Sequence, residues 1–465
     1  MPQFNLNKIL KYLVAASIIT IPLYPKFPFL TIPGTYVAVR LEDFLLAILA
    51  IFVLIKILPN LGKYLKNKIV VSVILFTAAG LISYLYGVFL TKTVVAHIGI
   101  LHWLRRIEYF IPFFAGWVVM KGDKNPRETL EFFVKCLMIT VFVAFIYGFG
   151  QKHFGWPVII TQNEEYSKGI ALRWIPGSHI NSTFAGHYDM ASYLVIMMPI
   201  FLAMLFEVKG VKTKILLTAV ILSGIWLLIN AISRISIVSY LLSATLSLIL
   251  IKKYKVIPVV LVISVVLFAG SSDLIARYLR IVQVTIMDVG RVKINYVLPK
   301  FEAYAASDAT TVILQEKTPA ETPTPTPVPV FEDRSTSIRL NIEWPRAIRA
   351  FTKDPLLGTG YSSINLATDN DFLRLLGEVG LIGFAAFLLV FARIVLTLVG
   401  RIPLDKYYSG IEKAFLAGVI AAVPGAFLNS VFIDVFEASK FMTAFLLVVG
   451  IAVYLAERGA NEQNN

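Results

Sequence analysis

Asp369, Asn370 and Asp371 stand together, and Arg374 and Glu378 follow just before a long apolar run. A carboxylate there could take a proton from a hydroxyl, and arginines could hold an anion. Asp371, Arg374 and Glu378 are spaced to share one helix face, with Phe372, Leu375, Leu376 and Val379 on the other. Gly358 and Gly360 punctuate the turn that leads in. Charged groups at a membrane boundary cost stability, so they usually serve a function. The competing reading is an amphipathic helix that only anchors the chain at the interface.

Other groups of similar chemistry are scattered along the chain. Arg234 lies in NAISRIS with no acid near it in sequence. Arg173 precedes a segment holding His179 and His187, and Arg334, Arg339, Arg346 and Arg349 precede the acidic cluster. Arginine suits a diphosphate, because its planar fork of donors is permanently charged. Each arginine could instead pair with a nearby carboxylate or snorkel to the interface, as Arg105 and Arg106 could with Glu108. His179 or His187 could serve as a base near neutral pH, or simply be solvated. Asp369-Asn370-Asp371 has the D-x-D form of a divalent-metal site, a match common by chance, so no metal or cofactor is expected. There is no HExxH, CxxC, Walker A or GxSxG.

The elements that must position these groups are membrane helices. The chain has 465 residues, of which 57% are hydrophobic and only 15% charged. Its mean hydropathy is +0.75. The apolar residues come in runs of roughly 20, long enough to cross a bilayer core of about 30 Å as helices. The predicted fold is an all-α polytopic membrane protein, with about twelve spans near 8–24, 41–58, 69–90, 100–120, 129–151, 189–206, 214–230, 235–251, 256–272, 380–398, 413–433 and 439–456. The basic N-terminus followed by an apolar run reads as the first span, since no small-residue cleavage site follows. The lone Cys136 excludes an internal disulfide and a cysteine-based metal site.

The net charge of +14 fits basic loops that face the cytoplasm, and no nucleic-acid motif accompanies it. Lysines at 56–68, 121–124, 209–214 and 252–255 fall on one side, with Arg401, Lys406 and Lys413. Both termini are then cytoplasmic. Segments 152–188 and 273–379 fall outside, so the candidate residues share the outer face of the cytoplasmic (inner) membrane. Residues 318–330, TPAETPTPTPVPV, read as an extended linker, whether spacer or disordered insertion. Three regions are expected: N-terminal helices at 1–170, a central region at 171–400 holding the outer loop 273–379, and C-terminal helices at 401–465.

Four segments in order carry a family resemblance: STFAGHYDMASYLVIMMP, SRISIVSYL, RSTSIRLNIEWPRAIRAFTKDPLLGTGYSS and DNDFLRLLGEVGLIGFAAF. Over roughly residues 170–400 the chain resembles the O-antigen ligase and polymerase family. The resemblance implies a metal-independent glycosyltransferase of the C type. Such an enzyme takes a glycan from an undecaprenyl-diphosphate donor and passes it to a lipid- or glycan-type acceptor. It implies catalytic roles for Arg234, which matches the family's Ser-Arg motif, and for Asp369. Arg173 sits near where the family has another functional arginine, and with it Arg339, Asn370, Arg374, Glu378 and His187 are the expected substrate-binding residues. Asp369 stands where ligases carry a histidine, which leaves polymerase, or ligation to another acceptor, open. The expected partners are these substrates and membrane lipids, and not nucleic acid. The alternatives are a transporter or lipid-glycan flippase, which would place polar groups at the midplane, and a non-catalytic scaffold.

Overall fold

The computed structural model describes residues 5–32, 38–159, 171–270, 334–364 and 367–464. The linker reading of residues 318–330 lies outside these. The helices are α1 (Leu6–Leu23), α2 (Leu41–Ile57), α3 (Lys68–Phe89), α4 (Ala96–Lys121), α5 (Pro126–His153), α6 (His187–Glu207), α7 (Val211–Ala231), α8 (Arg234–Leu250) and α9 (Ile257–Ala269). They continue with α10 (Trp344–Lys353), α11 (Asp371–Val399), α12 (Gly410–Ser430) and α13 (Ser439–Asn464). Short helices also occur at Leu61–Tyr64 and Arg334–Ile338, and two antiparallel strand pairs are formed by Pro28–Thr31 with Ala38–Arg40 and by Val158–Ile159 with Ala171–Leu172.

A helix stands at each expected span. Among the described residues, 9 helices are long and apolar enough to cross a membrane. The expected count of about twelve spans is therefore not reached among the described residues, because three of the helices fall short as spans. Arg105, Arg106 and Glu108 interrupt α4, α8 has 17 residues and α9 has 13. The chain is a multi-pass helical membrane protein.

Burial sorts these helices. The apolar windows of α6 and α13 are 89% and 94% buried inside the protein, whereas that of α2 is only 17% buried. Phe44, Ile48, Ile51, Leu54 and Ile55 of α2 face outward, where lipid accepts apolar surface and every helical backbone bond is already made. At the centre the helices touch closely. A side chain at Gly450 would strike the Phe113 backbone, so α13 and α4 can approach only because that residue is glycine.

One end of the bundle is tied together by Lys440 in the first turn of α13. Its ammonium donates to the carbonyl oxygens of Pro22 (3.0 Å), Tyr24 (2.7 Å) and Thr183 (2.7 Å). The end of α1, the segment before α6 and the start of α13 therefore meet there.

Candidate functional site

The site begins with a break in α11. A separate interfacial helix at 371–379 followed by a span from 380 was one expectation. Instead one helix runs through, bent where Gly380 adopts φ 63°. The carbonyl of Gly377 accepts from Thr359 N (2.9 Å) and that of Glu378 from Gly360 N (2.8 Å). Beyond the bend, Leu381 N donates to Pro355 O (2.8 Å) and Ile382 N to Leu356 O (3.2 Å). Ser83 Oγ of α3 adds a 2.7 Å bond to the Glu378 carbonyl. The Pro355–Gly360 turn thus satisfies the backbone groups that the bend releases.

The first turns of α11 turn their charged face inward. Asp371, Arg374 and Glu378 are each no more than 2% exposed, so this face does not lie on the membrane surface as an amphipathic anchor would. Asp371 Oδ2 accepts from Phe436 N (3.0 Å). Arg374 meets Asp434 at 3.0 Å, Glu437 at 3.5 Å and Glu378 at 3.7 Å. Arg106 of α4 pairs with Glu437 and donates to the Phe436 carbonyl at 3.1 Å. Arg105 pairs instead with Asp43 (2.8 Å) and Glu108 (3.1 Å). Buried charges endure only when paired, and each of these faces a charge of opposite sign or a backbone donor.

Asp434 does more than neutralise Arg374. Its carboxylate also accepts Thr368 N (2.8 Å) and Asn370 N (3.0 Å), the amides on either side of Asp369. Asn370 caps α11 by accepting Leu373 N at 3.0 Å. Asp369, clamped between, sits in the left-handed region at φ 48°, which aspartate tolerates better than most residues. Its side chain is 24% exposed, and Oδ2 takes both bonds from Arg339, at 2.7 and 2.9 Å.

Arg339 comes from the segment before α10, and it also hydrogen-bonds Tyr188 at the start of α6. Tyr188 lies against His187 with ring centroids 4.0 Å apart, and His187 against His179 at 4.2 Å. The histidines of one expected outer segment and the arginine and aspartate of the other are therefore brought together. Burial pulls the Arg339 guanidinium down, but the Asp369 carboxylate and Tyr188 together outweigh it and the net direction is up. Burial and the neighbouring Asp434 push Asp369 above the ordinary carboxylate value, against the opposing Arg339. Glu343, on the same turn as Arg339, is pushed up to about 7 by burial, then by Asp369 and Asp434.

The remaining expected residues are placed differently. Arg234 opens α8, two residues before Ser236. Asn429 of α12 bonds Ser236 (3.3 Å), Ser239 (3.0 Å) and Ser192 of α6 (3.0 Å). Asn429 thus joins the first turns of α8, which Arg234 opens, to α6 one helical turn after Tyr188. It is nonetheless Arg339, not Arg234, that the described contacts join to Asp369. Arg173 is exposed beside the Ala171–Leu172 strand, with no described contact to Asp369 or Arg339. Asp369 and Asp371 engage different partners, so the D-x-D carboxylates do not converge. Sequence reasoning missed Tyr188, Glu343, Asp434 and Glu437. The signal for the last two was a pair of acids in FIDVFEASK, between two apolar runs.

Residues 217–388 match the family model described as O-antigen ligase. That segment contains Arg234, Arg339, Asp369, Arg374 and Glu378, and it ends before Asp434. No curated protein matches the chain.

Proposed function

From the O-antigen ligase family domain at residues 217–388, we propose that this membrane protein moves a glycan from an undecaprenyl-diphosphate carrier to an acceptor sugar. The transfer takes place at the outer face of the cytoplasmic membrane, in surface-polysaccharide synthesis. What supports this reading most is the partly exposed Asp369–Arg339 pair at 2.7 Å, inside the family-matched region.

The acceptor sugar binds at Asp369, whose Oδ1 takes neither bond from Arg339. The acceptor hydroxyl oxygen attacks the anomeric carbon of the donor, and a carboxylate on that side takes its proton. The bond to the carrier breaks with its electron pair going to the diphosphate. Fixed cations stabilise that developing charge without reorganising. Arg339 is placed to do so, and Arg234 and Arg173 line the approach of the carrier. His187 and Tyr188 flank the acceptor, while Asn370 caps the helix that presents it. Arg374 and Glu378, engaged inside the protein, hold Asp369 in place and do not touch substrate. The carrier's own bond supplies the driving force, and the product defines the subclass. A lengthened carrier-linked chain marks a polymerase, and glycan on a new acceptor marks a ligase.

Asp369→Asn and Arg339→Ala test the reading in cells lacking the native chain. Carrier-linked glycan should accumulate, and transfer should fall by about 10²-fold or more. Normal transfer by stably inserted variants would sink it.

A further inference from the structure

Arg339–Glu343 forms a single π-helical turn, closed by the Trp344 N–H on the Arg339 carbonyl. Such turns are rare and recur at functional sites. Its first residue, Arg339, bonds Asp369, and its last, Glu343, carries a second carboxylate on the same turn. Glu343 is close enough to feel the charge of Asp369. The charged groups around Glu343 are Asp369, Asp434, Arg339 and Arg346. They come from three places: its own turn and α10, the start of α11, and the segment between α12 and α13.

Glu343 differs from Asp434 and Asp369 beside it. Asp434 takes three donors, and Asp369 is held by an arginine. Glu343 Oε2 is buried and has no hydrogen-bond partner among the described residues. Arg346 Nη1, three residues on, also lacks one. A buried polar atom left unsatisfied asks for a reason, and a ligand hydroxyl is one.

We propose that Glu343 takes the proton from the acceptor hydroxyl, while Asp369 holds the acceptor sugar through a neighbouring hydroxyl and Arg339 faces the leaving diphosphate. The proposal rests on the glycan-transfer reading above. As the acceptor oxygen bonds to the anomeric carbon, its proton passes to Glu343 Oε2. The carbon–oxygen bond to the carrier breaks, and diphosphate leaves with the electron pair. Glu343 then releases the proton to water. Its elevated proton affinity, near neutral pH, suits a general base better than an ordinary carboxylate would. Asp369 is the poorer candidate, because Arg339 already occupies its Oδ2.

The test uses purified full-length protein in liposomes. The donor is the carrier-linked glycan accumulated by cells deleted for this chain, and the acceptor is their membrane fraction. For the wild type, kcat/KM should rise with pH through a limb near 7. Glu343→Gln should lower the rate by about 10²-fold or more and abolish the limb, with donor binding retained. Glu343→Asp should keep a limb at reduced rate. Wild-type rate and limb in Glu343→Gln would overturn the proposal while leaving the transfer reading intact. Loss of donor binding in both variants would mark Glu343 as structural and overturn it too. No transfer by the wild type would overturn the functional reading, and the proposal with it.

Discussion

Asp434 governs the site from behind. Its carboxylate bonds the amides of Thr368 and Asn370 and the guanidinium of Arg374. The backbone on both sides of Asp369 is thereby fixed, which holds Asp369 at φ 48° and its side chain on Arg339. Asp434→Asn keeps the shape but loses the charge and at least one acceptor. Thermal unfolding in detergent should show a loss of about 1–3 kcal/mol. Transfer should fall further than that loss explains, because Asp369 is no longer held. Full activity in a folded Asp434→Asn variant would show that Asp369 is set by something else. The acidic cluster, the arginines and the histidines were all legible as candidates from residue type. Asp434 was not, because it lies more than sixty positions from Asp369 at 2.8–3.0 Å from its flanking amides. No local pattern in FIDVFEASK announces that pairing.

The element that presents Asp369 is α11, and its bend depends on two glycines. A Cβ on Gly380 would strike the Leu356 carbonyl, and one on Gly358 would strike the Glu378 backbone. Both residues also sit at positive φ, 63° and 70°, where a side chain adds strain. Gly380→Ala should therefore cost more than the roughly 1–3 kcal/mol of a strained backbone position alone. Gly62→Ala meets nothing within 4 Å, so it should change stability by no more than about 0.5 kcal/mol. Thermal unfolding of the two variants, with transfer assayed alongside, checks the contrast. Equal behaviour would mean that the Pro355–Gly360 turn does not set the bend. Apolar run length was enough to locate the helices. It could not reveal that 371–399 is one bent helix, because the bend exists only by pairing with a turn twenty residues upstream. Nor could it show which way the charged face points. Helical spacing places Asp371, Arg374 and Glu378 together, but only the partners on α4 and before α13 turn that face inward.

Across the whole molecule, the site end is assembled from chain segments that meet only when the bundle closes. Lys440 marks that closure. It is wholly buried, and its three donors meet three carbonyls from two other segments. An ammonium has three N–H groups and no acceptor, so this arrangement satisfies it completely. One of those carbonyls belongs to Thr183, four residues before His187 and five before Tyr188, the partner of Arg339. The lysine thus fixes where α6 begins, and through Tyr188 it bears on the Asp369–Arg339 pair. Lys440→Met keeps most of the side-chain volume and removes every donor. Each carbonyl left unpaired costs about 1–3 kcal/mol. Thr183 Oγ1 still bonds the Pro22 carbonyl at 2.8 Å, so at most two acceptors are fully stranded. The expected loss is on the order of 2–6 kcal/mol, read as a lower unfolding temperature and more rapid proteolysis before α6. Transfer should fall in proportion to the folded fraction and then further, because Tyr188 is no longer held against Arg339. A variant with unchanged unfolding would mean that apolar packing of α6 and α13 alone fixes the bundle end, and that the buried lysine is not needed for assembly.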